Sequence, residues 1–153
     1  MRIEKAGKKD FPEIEKMIEK DFPYVQRSTE NALEKMKRNE ITFFKAVEGK
    51  KIIGFVEVET FQENIARING LSVNPNFRRK GIGKKLLLHV IAELEKRGIE
   101  RVVLLVKQSN QKAKELYESV GFNFIGLYHR RIDEAVVEEM ELSLVKEKPC
   151  YVS

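Results

Sequence analysis

The sequence predicts an α/β (α+β) domain in which a mixed, mostly antiparallel seven-stranded sheet carries helices on both faces. Three observations lead there. Seven short segments have strand-like apolar patterns, and four others repeat apolar residues at helical spacing. The four-residue connection Glu48-Gly49-Lys50-Lys51 marks an antiparallel hairpin. From Ile68 to Val106 a helix lies between two strands and makes a right-handed crossover with parallel strands.

Each element has a local reason. Met1 to Ala6 alternates as a strand, and Asp10-Phe11-Pro12-Glu13 supplies a capping-box spacing with proline near the first helical position. The helix that follows reaches about Lys20, with Phe11, Ile14, Met17 or Ile18 and Phe22 on one face. Phe22-Pro23-Tyr24 breaks it, and Ser28 caps a second helix bearing Ala32, Leu33 and Met36. Strands at Thr42–Val47 and Ile52–Val58 flank the hairpin connection Glu48-Gly49-Lys50-Lys51. Ile68–Val73 is the next strand. Leu86, Leu87, Val90, Ile91 and Leu94 mark one face of a helix closed by Gly98. Arg101–Val106 is a continuous apolar run, as in a strand buried on both faces. Asn110 caps a short helix carrying Ala113, Leu116, Tyr117 and Val120, which Gly121 ends. Two strands, near Phe122–Tyr128 and Ala135–Leu144, complete the sheet around Asp133-Glu134.

The chain of 153 residues is the size of one domain, expected over residues 1–146 with 147–153 as a C-terminal tail. With 42% hydrophobic and 35% charged residues it has the composition of a soluble globular protein, and no apolar run approaches a membrane span. The first residues lack a signal-peptide core, and the single cysteine, Cys150, excludes an internal disulfide framework. Both features point to a cytoplasmic protein with an inert tail thiol. A net charge of +5 permits an anionic ligand without requiring one.

The most informative stretch is Arg78-Arg79-Lys80-Gly81-Ile82-Gly83-Lys84-Lys85, a cationic loop with two glycines where a helix begins. A helix N-terminus offers unpaired N–H groups and the positive end of the helix dipole, and glycine leaves the backbone open to approach. Each N–H bond to a charged oxygen contributes roughly 1.5–3 kcal/mol, so three or four hold a pyrophosphate without metal. A dinucleotide fingerprint fits poorly, because Leu86 stands where a third glycine belongs. A nucleic-acid patch fits poorly as well, since no aromatics interleave with the cations.

These residues resemble the GNAT superfamily of acetyl-CoA-dependent N-acyltransferases over almost the whole chain. The family's cofactor signature, Gln or Arg, two residues, Gly, any residue, then Gly or Ala, reads here Arg78-Arg79-Lys80-Gly81-Ile82-Gly83. Its pairing of an Asn with a Tyr seven residues on is met by Asn110 and Tyr117. The resemblance implies that the backbone of residues 79–84 holds the coenzyme A pyrophosphate, with Arg78, Lys84 or Lys85 near its phosphates. It implies pantetheine beside Leu71 and Val73, where the parallel strands splay, and contact with Asn110. Tyr117 would protonate the leaving thiolate, and a backbone N–H such as that of Val73 would stabilise the oxyanion. The implied reaction moves acetyl from acetyl-CoA directly to a primary amine, a protein N-terminus or a small molecule, with no metal; nucleic acid and membrane partners are not implied. The rival is a coenzyme A-binding sensor without turnover.

The acceptor half departs from the pattern. Some family members carry a catalytic glutamate where this chain has Arg67, and others where it has Leu105. Glu57 and Glu59 are substitutes by position, although a charged outer face is their simpler reading. Deprotonating a lysine amine at pH 7 costs roughly 4.6 kcal/mol, against about 1–1.4 for an α-amine, so an acceptor of low pKa needs less help. Tyr24 is equally a wall of the acceptor site or a packing residue, and His129 reads as a surface histidine.

Overall fold

The computed structural model describes residues 1–62 and 64–145. The expected tail, residues 147–153 with Cys150, lies outside the described residues, as does position 146. The strands are β1 (Arg2–Lys5), β2 (Ile41–Glu48), β3 (Lys51–Gln62), β4 (Ile65–Val73), β5 (Arg101–Lys107), β6 (Asn123–Leu127) and β7 (Val137–Ser143). The helices are α1 (Phe11–Asp21), α2 (Thr29–Lys37), α3 (Ile82–Lys96) and α4 (Gln111–Ser119). One sheet contains all seven strands in the order β1-β2-β3-β4-β5-β7-β6, and only β4 and β5 are parallel. Among the described residues no helix is long and apolar enough to cross a membrane.

Apolar side chains on both sheet faces fix the layers. Leu86, Leu87, Val90 and Leu94 of α3 bury completely against Val56, Ala66, Val102 and Leu104. Phe11 and Ile14 of α1 and Ala32 of α2 cover Phe43 and Phe55 on the opposite face, with Phe43 in ring contact with both phenylalanines. Each such buried Leu, Ile or Phe contributes about 1.5–3 kcal/mol.

The feature that positions the site is a split in this sheet. Strands β4 and β5 pair only from Ile65 with Arg101 to Ile68 with Leu104. Beyond that, β4 follows β3 to Val73 while β5 follows β7 to Lys107. A β-bulge accounts for the divergence: Val58 faces Ile68 and Glu57 faces Gly70, so Asn69 is an extra residue that bends β4 away.

Several expectations change in detail. Asp10 does not cap α1 with its side chain; a 3₁₀ turn precedes the helix, and the carboxylate accepts from the Gly7 N–H at 2.8 Å and Lys45 Nζ at 2.9 Å. A buried lysine across the fold outcompetes the local cap. The first hairpin closes over two residues, Gly49 and Lys50, rather than four. Strands β3 and β4 both run further than their apolar centres, because polar Thr60 and Arg67 sit on a ladder that backbone bonds sustain. Ser28 caps α2 as expected, accepting from the Asn31 N–H at 3.1 Å.

Candidate active site

Strand β4 ends in a 3₁₀ turn at Pro75–Phe77, after which the chain must reverse into α3. It does so through left-handed backbone at Arg79 (φ 64°) and Gly81 (φ 75°). As a result the N–H groups of residues 79–84, namely Arg79, Lys80, Gly81, Ile82, Gly83 and Lys84, have no acceptor among the described residues; the first pairing is Lys85 N–H to Gly81 carbonyl at 3.1 Å. A Cβ placed on Gly83 would meet Leu116 at 3.4 Å, Leu71 at 3.7 Å and Val73 at 3.9 Å, so glycine keeps the floor of this cradle open. The cradle faces a cleft of about 960 Å³ running through the split.

The cleft has a peptide edge. Asn74 donates its N–H to Ile53 on β3 at 2.7 Å. Since successive strand N–H groups point to opposite sides, those of Val73 and Leu71 face away from β3, toward the cleft. The Val73 carbonyl is already bound by Arg78 Nε at 3.0 Å. Arg78 is therefore a strut between loop and strand as well as a cleft residue, a role the motif did not indicate. The Lys80 ammonium lies over Phe77, at 5.4 Å from the ring centre, so its share of the cradle is its backbone. Lys84 lines the cleft, Lys85 does not, and Lys112 of α4 does, which no spacing rule pointed to.

Helix α4 supplies the two remaining positions. Asn110 Oδ1 accepts from the Ala113 N–H at 3.2 Å, so the cap occupies the carbonyl end and leaves the amide nitrogen for the cleft. Tyr117 is 9% exposed, packs edge-on to Phe122 with centres 5.9 Å apart and borders the cleft. Burial, and secondarily Tyr24, push its phenol up to about 12. At neutral pH it is a proton donor, not a base.

On the far side of the split lies a second pocket of about 330 Å³. It meets the first along Ile68–Gly70 and Leu105–Lys107, with Phe22 and Tyr24 bordering both. Tyr24 is thus a wall residue. Its hydroxyl is shifted upward, by burial first. His129 is exposed and meets the Tyr128 ring at a tilt of 52°.

The outer-face reading of Glu57 is wrong. Glu57 is 5% exposed, because the α1–α2 segment folds over that face of the sheet. Arg27 grips it through two bonds of 2.9 and 2.8 Å, and Asn69 Nδ2 adds a third at 2.7 Å. Glu59 accepts from Asn69 at 2.9 Å and Arg67 at 3.3 Å, with Lys35 at 3.8 Å. Burial raises the Glu59 pKa, but the Asn69 bond, then Lys35 and Arg67, outweigh it and hold the carboxyl below its usual range. Sequence reasoning missed Arg27 and Asn69; the only signal for Asn69 was a polar residue inside an otherwise apolar strand.

A mixed sheet opened at its single parallel pair, with a glycine-marked helix start facing the opening, defines an acyltransferase fold. The chain belongs to the Acetyltransferase (GNAT) family, whose model matches residues 11–122. It is similar to the [ribosomal protein bS18]-alanine N-acetyltransferase of Escherichia coli strain K12, 39% identical over 80 residues, covering 52% of this chain and 53% of that one. It is also similar to the uncharacterized N-acetyltransferase YsnE of Bacillus subtilis strain 168, 37% identical over 94 residues, covering 60% and 62%. The matches thus span little more than half the length of these relatives. In three dimensions it resembles the ribosomal-protein-S18-alanine N-acetyltransferase crystal structure from Escherichia coli, with a TM-score of 0.80 over 99% of both chains at 24% identity. A Bacillus subtilis acetyltransferase in complex with CoA gives 0.76 over 94% and 99% at 19% identity.

Proposed function

We propose that the protein is an N-acetyltransferase that moves acetyl from acetyl-CoA to the primary amine of a peptide or small molecule. The observation that carries this is the meeting of two pockets at the β4–β5 split, one beside a loop whose N–H groups have no acceptor among the described residues and the other bordered by side chains. Acetyl-CoA fits the first. Its pyrophosphate matches the N–H cradle of residues 79–84 and the Lys84 and Lys112 charges, and its pantetheine amides match the peptide edge at Leu71 and Val73. Relatives named as N-acetyltransferases, one acting on a ribosomal-protein alanine, support the reaction class.

In the proposed reaction the amine nitrogen bonds to the acetyl carbon and the carbon–sulfur bond breaks. The nitrogen loses one proton and the sulfur gains one. The Val73 N–H is directed to stabilise charge on the carbonyl oxygen. Tyr117 serves the sulfur. Burial, which pushes the Tyr117 phenol up to about 12, keeps its proton in place until charge builds on the sulfur, and Tyr117 then donates to that sulfur as the general acid.

Among the described residues bordering the second pocket, neither carboxylate is left without a partner: Arg27 and Asn69 hold Glu57, and Asn69, Arg67 and Lys35 hold Glu59. An α-amine, deprotonated through water, suits such a site better than lysine. Cations around a bound amine lower its pKa further. Mass spectrometry after incubation with acetyl-CoA and a mixture of peptides, amino acids and polyamines tests the reading: amines gain one acetyl group, and the protein forms no acetyl adduct. Tyr117→Phe lowers kcat about 100-fold with acetyl-CoA affinity nearly constant. Unchanged turnover refutes the Tyr117 role, and cofactor binding without any product favours a sensor.

A further inference from the structure

We infer that the acceptor carries a carboxylate near its reactive amine, and that Arg130, with Lys107, recognises it. The inference rests on the acetyltransferase reading above and names the substrate class of its second pocket. Among the described residues that pocket is bordered by four cations, Arg27, Arg67, Lys107 and Arg130, but only two carboxylates, Glu57 and Glu59. Both carboxylates are engaged. Arg27 and Asn69 take Glu57, while Asn69, Arg67 and Lys35 share Glu59. Little negative charge is left to attract an ammonium group.

The cations differ. Arg130 has no carboxylate partner among the described residues; its guanidinium stands over the Tyr128 ring at 5.7 Å. Lys107 Nζ lies over Tyr24 at 5.2 Å and shares the half-exposed Asp133 at 3.2 Å. Two rings bordering the pocket therefore each hold a cation in place, and of the two only Arg130 has no carboxylate beside it among the described residues, since Asp133 takes part of the Lys107 charge. A guanidinium fork suits a carboxylate in two parallel bonds. With the amine at the split, an acceptor carboxylate reaches toward these groups, whereas a polyamine or a lysine-rich peptide meets like charge.

A carboxylate beside a primary amine occurs in a free amino acid and in an acidic peptide N-terminus, and the test separates them. Steady-state kinetics with the full chain and saturating acetyl-CoA compare leucine with leucinamide, each kcat/KM taken per deprotonated amine because the neighbouring carboxylate raises the pKa of the leucine amine. They also compare a peptide beginning Ala-Glu-Glu with one beginning Ala-Lys-Lys. The carboxylate-bearing member of at least one pair has a kcat/KM about tenfold higher, and Arg130→Glu erases or reverses that ratio. The pair that responds identifies the source. Calorimetry with acetyl-CoA gives the same affinity for Arg130→Glu as for the parent, which shows that the variant is folded. Equal rates within both pairs, preference for the lysine peptide, or a preference that survives both Arg130→Glu and Lys107→Gln overturns the inference while leaving the acetyltransferase reading intact. Failure to acetylate any amine defeats that reading, and this inference with it.

Discussion

The two halves of the split differ in what they are made of. In the proposed reaction the donor half is peptide: the N–H groups of residues 79–84 and the strand edge at Leu71 and Val73, all between residues 71 and 84. The acceptor half is side chain, with Arg27 from the α1–α2 segment, Glu57 from β3, Asn69 from β4 and Arg130 from the segment between β6 and β7. A backbone cradle depends on local geometry and tolerates changes in side chain. A side-chain pocket depends on long-range packing, and one substitution alters its charge. On the proposed reading, donor recognition therefore rests on backbone and acceptor recognition on side chains.

Changes in each half test this division. Gly83→Val has the largest expected effect. The added methyls project toward Leu116, Leu71 and Val73 and close the cradle floor, and loss of two N–H bonds weakens acetyl-CoA binding about 100-fold or more by calorimetry. Unchanged affinity would remove the cradle from the account.

Arg27→Ala acts on the other half and through stability. It strands Glu57, which is almost fully buried, with only Asn69 as partner, and lowers unfolding free energy by about 3 kcal/mol in urea titrations. Acetyl-CoA affinity of the folded protein stays near the parent value. A variant that loses cofactor binding as well would show that the halves are mechanically coupled.

The smallest effect is on acid. Because the folded-state pKa of Glu59 lies below its ordinary value of 4.5, its ion pairs stabilise the protein above that value and are lost as pH falls through the folded pKa. NMR signals of Glu59, Asn69 and Arg67 shift in that acidic window, whereas those of residues 79–84, a stretch without a carboxylate, stay put. Glu59→Gln abolishes the titration.

Legibility in the sequence follows the same line. The strands, the four helices and the crossover were readable because apolar period and turn residues are local signals, and so were the helix start that carries Arg78 to Gly83 and the short helix that carries Asn110 and Tyr117. Asp10 misled, since its capping partners are adjacent in sequence but Lys45 is not. The burial of Glu57 was hidden because nothing near it announces that Arg27, thirty residues earlier, folds over it. The order β5-β7-β6 was equally hidden, because both final strands can pair with β5 and only packing selects one.

By itself the sequence determined the proposed donor side: a strand, a glycine-marked turn and a helix leave N–H groups without acceptors among the described residues, and backbone geometry over a few residues needs no distant partner. The tertiary structure alone decided the acceptor side. A bulge at Asn69 opened the sheet, and charges from five separate elements met there, with their balance set by which of them came close enough to pair.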